Sequence, residues 1–180
     1  FTPVGLLPDI AKSLGKTEPT TGLLLTAYAW VVAIMSLPLT LATSEVNRRR
    51  LMLTLIAVFT VGNFCVGMSN SFETILFSRI IIALSHAIFW SIMAAMSIRL
   101  SPKGKGAYGL ALMSGGSSLS AVLGIPLCTY IGHKLGWQTA FFIISGTAFI
   151  IWLILLKELP NLKSENSGNL KSLPKILKNK

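Results

Sequence analysis

Long apolar runs dominate the chain, and a short polar link separates each from the next. Stretches of ~18 or more mostly apolar residues, the length that crosses a bilayer as a helix, cover 21–43, 51–69, 74–98 and 107–131, and a fifth at 139–156 is just long enough. Residues 1–10 are apolar but too short to span. Because the chain opens on Phe1 and not on methionine, they read as the stump of an earlier helix in a fragment that lacks its native N-terminus. The links at 12–20, 44–50, 70–73, 101–106 and 132–138 are short enough to make antiparallel neighbours of consecutive helices. The expected fold class is an all-α membrane protein. Its transmembrane bundle occupies 1–156, and a polar, basic linker broken by Pro160, Gly168 and Pro174 occupies 157–180. The end of that linker, from Leu170 through Ile176 and Leu177, reads as solvated.

Composition sharpens this into a polytopic protein embedded in a lipid bilayer. Hydrophobic residues make up 52% and charged residues 12% of the chain, and the mean hydropathy is +0.68, outside the range of soluble domains. A net charge of +10 raises nucleic acid as a partner, but its distribution argues against one. Numbering the links by side puts twelve basic residues (Arg48, Arg49, Arg50, Arg99, Lys103, Lys105, Lys157, Lys163, Lys171, Lys175, Lys178 and Lys180) on one side and only Lys12, Lys16 and Lys134 on the other. The positive-inside rule makes the first side cytoplasmic, so the C-terminal tail is expected inside. Cys65 and Cys128 fall inside expected helices and offer neither a disulfide framework nor metal-ligand spacing. They read as small, soft core residues.

Arg79 completes the basic residues and is the one formal charge in the run 74–98. A helix starting near Thr74 places it about 8 Å along the axis, inside the hydrocarbon. Either its guanidinium snorkels back to the interface, or it faces a protein-lined pathway and meets a substrate or coupling ion. At 100° per residue, Arg79, His86, Trp90 and Ser97 fall within about 20° of one line, with Ala83 near them. Such a stripe on an apolar helix is expected to face a cavity. Arg79 supplies a fixed cation and a fork of donors. His86 supplies a group that can take up a proton, or else a satisfied interhelical hydrogen bond. Trp90 supplies a flat face for a ring, or else packing. Tyr28 and Asn63 are further cavity candidates.

The next run carries Gly116, Ser120 and Gly124 four residues apart, then Pro126. Small residues at that spacing let helix backbones approach, and the proline bends the outer end. This predicts a kinked packing face, either static or a pivot that seals the cavity. In the 44–50 link, Glu45 stands beside Arg48, Arg49 and Arg50, a cluster able to latch helix ends in one conformational state. No phosphate-binding loop, no His-Glu-x-x-His, no paired intramembrane carboxylates and no nucleophile with a base occur. Enzyme chemistry, ATP-driven transport, a cofactor and a metal are therefore not implied.

These residues resemble the major facilitator superfamily, in its drug and sugar proton-antiporter branch. Phe1-Thr2-Pro3-Val4-Gly5-Leu6-Leu7-Pro8-Asp9-Ile10-Ala11 looks like the outer end of that branch's first helix, and Gly22 to Ala29 is similar to the start of its second. Arg79 with His86-Ala87-Ile88-Phe89-Trp90-Ser91 resembles the fourth-helix motif of bacterial sugar-efflux members. Gly116 to Leu127 followed by Gly136-Trp137-Gln138-Thr139-Ala140-Phe141 resembles the fifth-helix antiporter motif and the loop after it. Leu159-Pro160 and Ser167 to Leu173 are similar to the sugar-efflux central linker. One departure lies in the loop motif, where Thr43, Ser44 and Val46 replace an acid–base pair and a glycine.

The resemblance implies the N-terminal six-helix half of a twelve-helix transporter built from inverted repeats, partnered by a missing C-terminal half and set in a bacterial inner membrane. It implies export of sugars or glycosides by proton antiport with alternating access. Arg79 would then serve coupling or conformational exchange, and His86 and Trp90 the cargo. The proton site would be His86, Asp9, the missing C-terminal half or, in first place, the missing part of the first helix. A multidrug or lipophilic-compound antiporter is the transport alternative, and a scaffold or receptor bundle the non-transport one.

Overall fold

Thr17, Asn47 and Ser71 set where three of the long helices begin. Each is a short polar residue whose side-chain oxygen accepts a backbone N–H of the first turn, from Thr20 at 3.3 Å, Arg49 at 3.0 Å and Thr74 at 3.3 Å respectively. The computed structural model describes residues 2–162, with side chains from Val4 onward. Positions 163–180, and with them Lys163, Gly168, Pro174 and most of the expected linker, lie outside the described residues. The elements are α1 (Thr2–Ser13), α2 (Glu18–Ala42), α3 (Arg48–Met68), α4 (Phe72–Leu100), α5 (Gly106–Leu119), a π turn (Ser120–Gly124), α6 (Ile125–Leu135) and α7 (Trp137–Glu158). No strand occurs among the described residues.

Among the described residues five helices are long and apolar enough to cross a membrane: α2, α3, α4, the continuous rod Gly106–Leu135 formed by α5, the π turn and α6, and α7. They correspond to the five expected runs, with ends displaced by up to four residues; α2, α3 and α4 start two or three residues early because their caps precede the apolar residues. Together with α1 they make six helical rods.

The bundle has two ends. The basic end gathers the 43–47 and 101–105 links and the chain leaving α7; the far end gathers the turns near Gly15, Asn70 and Gly136, where Gly15 and Gly136 carry positive φ of 60° and 93°. α4 packs on α2, α3 and α5, and α3 packs on α7, while α1 lies against α2, α6 and α7. Each end has its own apolar core. Leu6, Ile10, Leu24, Val66, Ile75, Ile82, Trp137, Ala140 and Phe141 fill the far end. Leu51, Met52, Leu55, Ile88, Ile92, Met96 and Leu159 fill the basic end. Because lipid is as apolar as leucine, hydrogen bonds across helices add specificity to this packing. Ser85 donates to Leu55 O at 2.8 Å, Ser145 to Thr60 O at 2.9 Å and Trp152 Nε1 to Leu53 O at 3.0 Å.

At the far end, Trp137 Nε1 donates to Ser13 Oγ at 2.8 Å, while the same hydroxyl donates to Ile10 O at 3.0 Å. Trp137→Phe removes that donor from a buried ring and is expected to cost about 1 kcal/mol. A lower melting temperature with faster amide exchange at residues 10–14 would register it.

Several expectations need correction. Gly116 and Ser120 are exposed, a Cβ placed on Gly116 meets nothing within 4 Å, and one on Gly124 meets only Ser120 of its own helix. The small-residue spacing is therefore not a packing face within this bundle; no described helix lies over it. The irregularity ahead of Pro126 is a π turn and not a simple proline bend. Proline cannot donate, and its ring crowds the carbonyl of residue i−4, here Val122; a wider turn makes room for both defects. Cys65 is exposed and not in the core, while Cys128 is partly buried.

A buried cation beneath a tyrosine and a histidine

α4 starts two residues earlier than the apolar run, so Arg79 lies about 10 Å along its axis. The side chain is 7% exposed. Its guanidinium carbon sits 4.9 Å from the centroid of the Tyr28 ring on α2, within the range of a cation–π contact. Arg79 Nε is buried and has no hydrogen-bond partner. Snorkelling to the interface is thus not what this side chain does. It is held between α2 and α4 with a donor left open.

His86 lies two turns further along the same face. Tyr28 Oη and His86 Nδ1 share a hydrogen bond of 2.5 Å, and the two rings meet edge-on at 5.9 Å. The Phe59 ring of α3 packs on the imidazole at 4.9 Å. An imidazole with its proton on Nε2 accepts from the phenol at Nδ1; one with a proton on Nδ1, whether the other neutral tautomer or the imidazolium, donates to the phenol oxygen. Tyr28 therefore touches the fixed cation through its ring face and the titratable group through its hydroxyl. A proton gained or lost at Nδ1 of His86 reverses the donor at Tyr28, directly beside Arg79.

The rest of the predicted stripe does not join this cluster. Trp90 is 53% exposed and touches only Phe89, edge-on at 5.6 Å, among the ring contacts. Ser97 donates to Met93 O of its own helix. Asn63 is buried, but its Nδ2 donates to Phe59 O at 2.8 Å, which ties it to its own backbone and not to a cavity. At the basic end Glu45 is exposed and, among the described residues, forms no ion pair with Arg48, Arg49 or Arg50. Arg48 instead donates to Thr43 O and Ser44 O at 3.4 and 3.2 Å, and Arg49 Nη2 to Leu156 O at 2.6 Å. Cations there tie down carbonyls that helix ends leave unpaired. Residues beyond α7 add to the stitching, with Asn47 Nδ2 donating to Asn161 Oδ1 at 2.8 Å and Arg48 N to Leu162 O at 3.1 Å.

Asp9, expected at the end of the first helix, faces His133 of α6, with Oδ2 and Nδ1 2.6 Å apart. His133 and Phe59 escaped the sequence reading. Neither stands at a helical spacing from Arg79, and both reach their partners only through tertiary packing. Comparison with known proteins adds one finding: the family model described as Major Facilitator Superfamily matches residues 1–180.

Proposed function

The chain belongs to the major facilitator superfamily of membrane transporters, and from that premise we propose that it exports sugars or glycosides from the cytoplasm in exchange for protons. The observation that carries the reading is the open donor of Arg79, buried under Tyr28 and one hydrogen bond away from His86. A buried cation with an unfilled donor is costly unless a substrate, an ion or a moving helix uses it. The cargo assignment rests on charge. An exporter of lipophilic cations needs an acid in its cavity, and the interiors of the five spans contain none, whereas they do hold a guanidinium. A neutral, hydroxyl-rich solute suits that environment better.

In this proposal the chain is the N-terminal half of a twelve-helix transporter, with its basic end and the 157–180 linker in the cytoplasm of a bacterial cell. Alternating access rocks this bundle against a second one. Arg79 and Tyr28 serve conformational exchange, His86 relays or senses the proton, and Trp90 offers its exposed ring to cargo. Asp9 is assigned a supporting part. The principal coupling acid is placed in first-helix residues preceding Phe1. Neutralising every acid in that stretch is expected to uncouple export from the pH gradient.

Everted vesicles carrying the full polypeptide test the reading. Arabinose-like sugars or β-galactosides are expected to collapse an imposed pH gradient, and hydrophobic dyes are not. A dye response with none from any sugar replaces the sugar exporter by a multidrug antiporter; no response to either favours a scaffold. Trp90→Ala is expected to raise the apparent KM for sugar about fivefold, the equivalent of one ring contact of about 1 kcal/mol, with little change at saturating sugar.

A further inference from the structure

We propose that the groove between α3 and α4 at the far end holds a phospholipid whose headgroup ends in a primary ammonium, the phosphatidylethanolamine class. Its outer part, about 720 Å³, opens beside Ser69–Ser71 and Glu73, and an inner part of about 350 Å³ runs on towards Ala57 and Ile81. The two parts share Cys65, Phe77 and Ser78 as lining. Side-chain size makes the groove. α3 and α4 close up where Gly62 lies against Ile82, a Cβ there standing 2.6 Å from Ile82 Cγ1. Small Cys65 and Ser78 form the floor between the exposed side chains of Val61, Phe64, Met68 and Phe77.

Length and polarity name the occupant. On α3 the lining runs from Ala57 to Met68, about 16 Å along the axis at a rise of ~1.5 Å per residue. The hydrocarbon of one leaflet is about 15 Å thick, half of ~30 Å. Along that length a hydroxyl-rich solute finds no open partner. Ser69, Thr74 and Ser78 donate their hydroxyls to Cys65 O, Ser71 O and Thr74 O at 2.6, 2.9 and 2.9 Å, and Ser71 Oγ pairs with Thr74 Oγ1 at 3.0 Å. What remains is an apolar trough one leaflet deep, which an acyl chain fills lengthwise. Its mouth carries charge of one sign. Among the described residues Glu73 is the only charged side chain that lines the groove, and it forms no ion pair. A primary ammonium brings N–H donors to that carboxylate, a choline headgroup brings charge without a donor, and a glycerol headgroup leaves the lipid a net anion. The lipid phosphate then lies beside the amino end of α4, where the helix dipole favours an anion.

Occupancy of the groove depends on neither a cargo nor a direction of transport. The full polypeptide is placed in phosphatidylcholine nanodiscs with a trace of one lipid that carries a photoreactive group in its acyl chain and an ethanolamine, choline or glycerol headgroup. Labelling of residues 57–81 is measured against that of the exposed face of α7 at Phe149, Ile150 and Ile154 in the same sample. The ethanolamine lipid is expected to label the groove about twofold to fivefold more than the other two, the range of an exposed ion pair. Glu73→Gln is expected to abolish that preference, and Glu18→Gln, at the same end but off the groove, to keep it. Cys65→Trp, which fills the floor, is expected to abolish it as well. Glu73 and Cys65 are both exposed, so neither change enters the core. Equal labelling by the three headgroups, a preference that survives Glu73→Gln or Cys65→Trp, or one lost in Glu18→Gln overturns the proposal.

Discussion

Arg79→Lys is expected to lower transport by at least tenfold while the bundle stays folded. Lysine keeps the charge, so a role limited to charge predicts little change. The site asks for more than charge. A planar guanidinium lies over the Tyr28 ring at 4.9 Å, and an ammonium, more strongly hydrated and without a fork of donors, replaces neither the stacking nor the open Nε. Desolvated cation–π contacts are worth about 2 kcal/mol, and ~1.4 kcal/mol is a factor of ten. Tyr28→Phe separates the two roles of the tyrosine. It keeps the ring under Arg79 and removes only the hydrogen bond to His86, so it is expected to alter coupling to the pH gradient more than the maximal rate. Transport in everted vesicles, alongside thermal melting of the same preparations, checks both variants. Full activity in Arg79→Lys would reduce the cluster to a point charge.

Gly109→Val is the second large effect, and it acts on the fold. A Cβ at Gly109 would stand 2.4 Å from Ser97 O and 2.1 Å from Ser101 Oγ. A side chain can turn aside, but a helix carbonyl cannot move without parting α4 from α5. Overpacking of this kind costs about 3 kcal/mol or more where the obstacle is backbone, a large share of the stability of a small bundle. Loss of folded protein from the membrane fraction is the expected readout, with no rescue from Ser101→Ala. Gly116→Ala is the contrasting case. Its Cβ meets nothing within 4 Å, so the change is expected to hold or raise bundle stability, since alanine is the better helix former by about 1 kcal/mol.

That contrast shows what the sequence could carry. Gly109 and Gly116 look alike in an apolar run, and Gly116 even has the more suggestive neighbours in Ser120 and Gly124. Spacing records that a close approach is possible; only tertiary structure supplies the helix that makes it. The spans themselves were legible because a lipid-facing helix is apolar all round, which needs no partner to recognise. The starts of α2, α3 and α4 moved outward because Thr17, Asn47 and Ser71 do their work through backbone N–H groups just ahead of the apolar residues. The Arg79–His86 face was legible as far as angular arithmetic reaches, since both side chains turn to the same neighbour. Trp90 shares that angle, but its ring stays exposed and its ring contact is with Phe89 of its own helix. The partners Phe59 and His133 left no trace in local spacing, because packing between distant helices put them there.

The π turn changes how the fifth span responds to force. A straight helix transmits torque from end to end, but a five-residue wide turn at Ser120–Gly124 followed by Pro126 interrupts the backbone ladder halfway. On the far lever Gly5 lies against Thr129, Asp9 against His133 and Ser13 against the Trp137 indole, and on the near lever Gly109 packs on Ser97 of α4. The compliance between them is concentrated in Ser120–Gly124. Any motion that tilts α1 against α4 therefore bends this span at its middle and leaves both of its halves stiff.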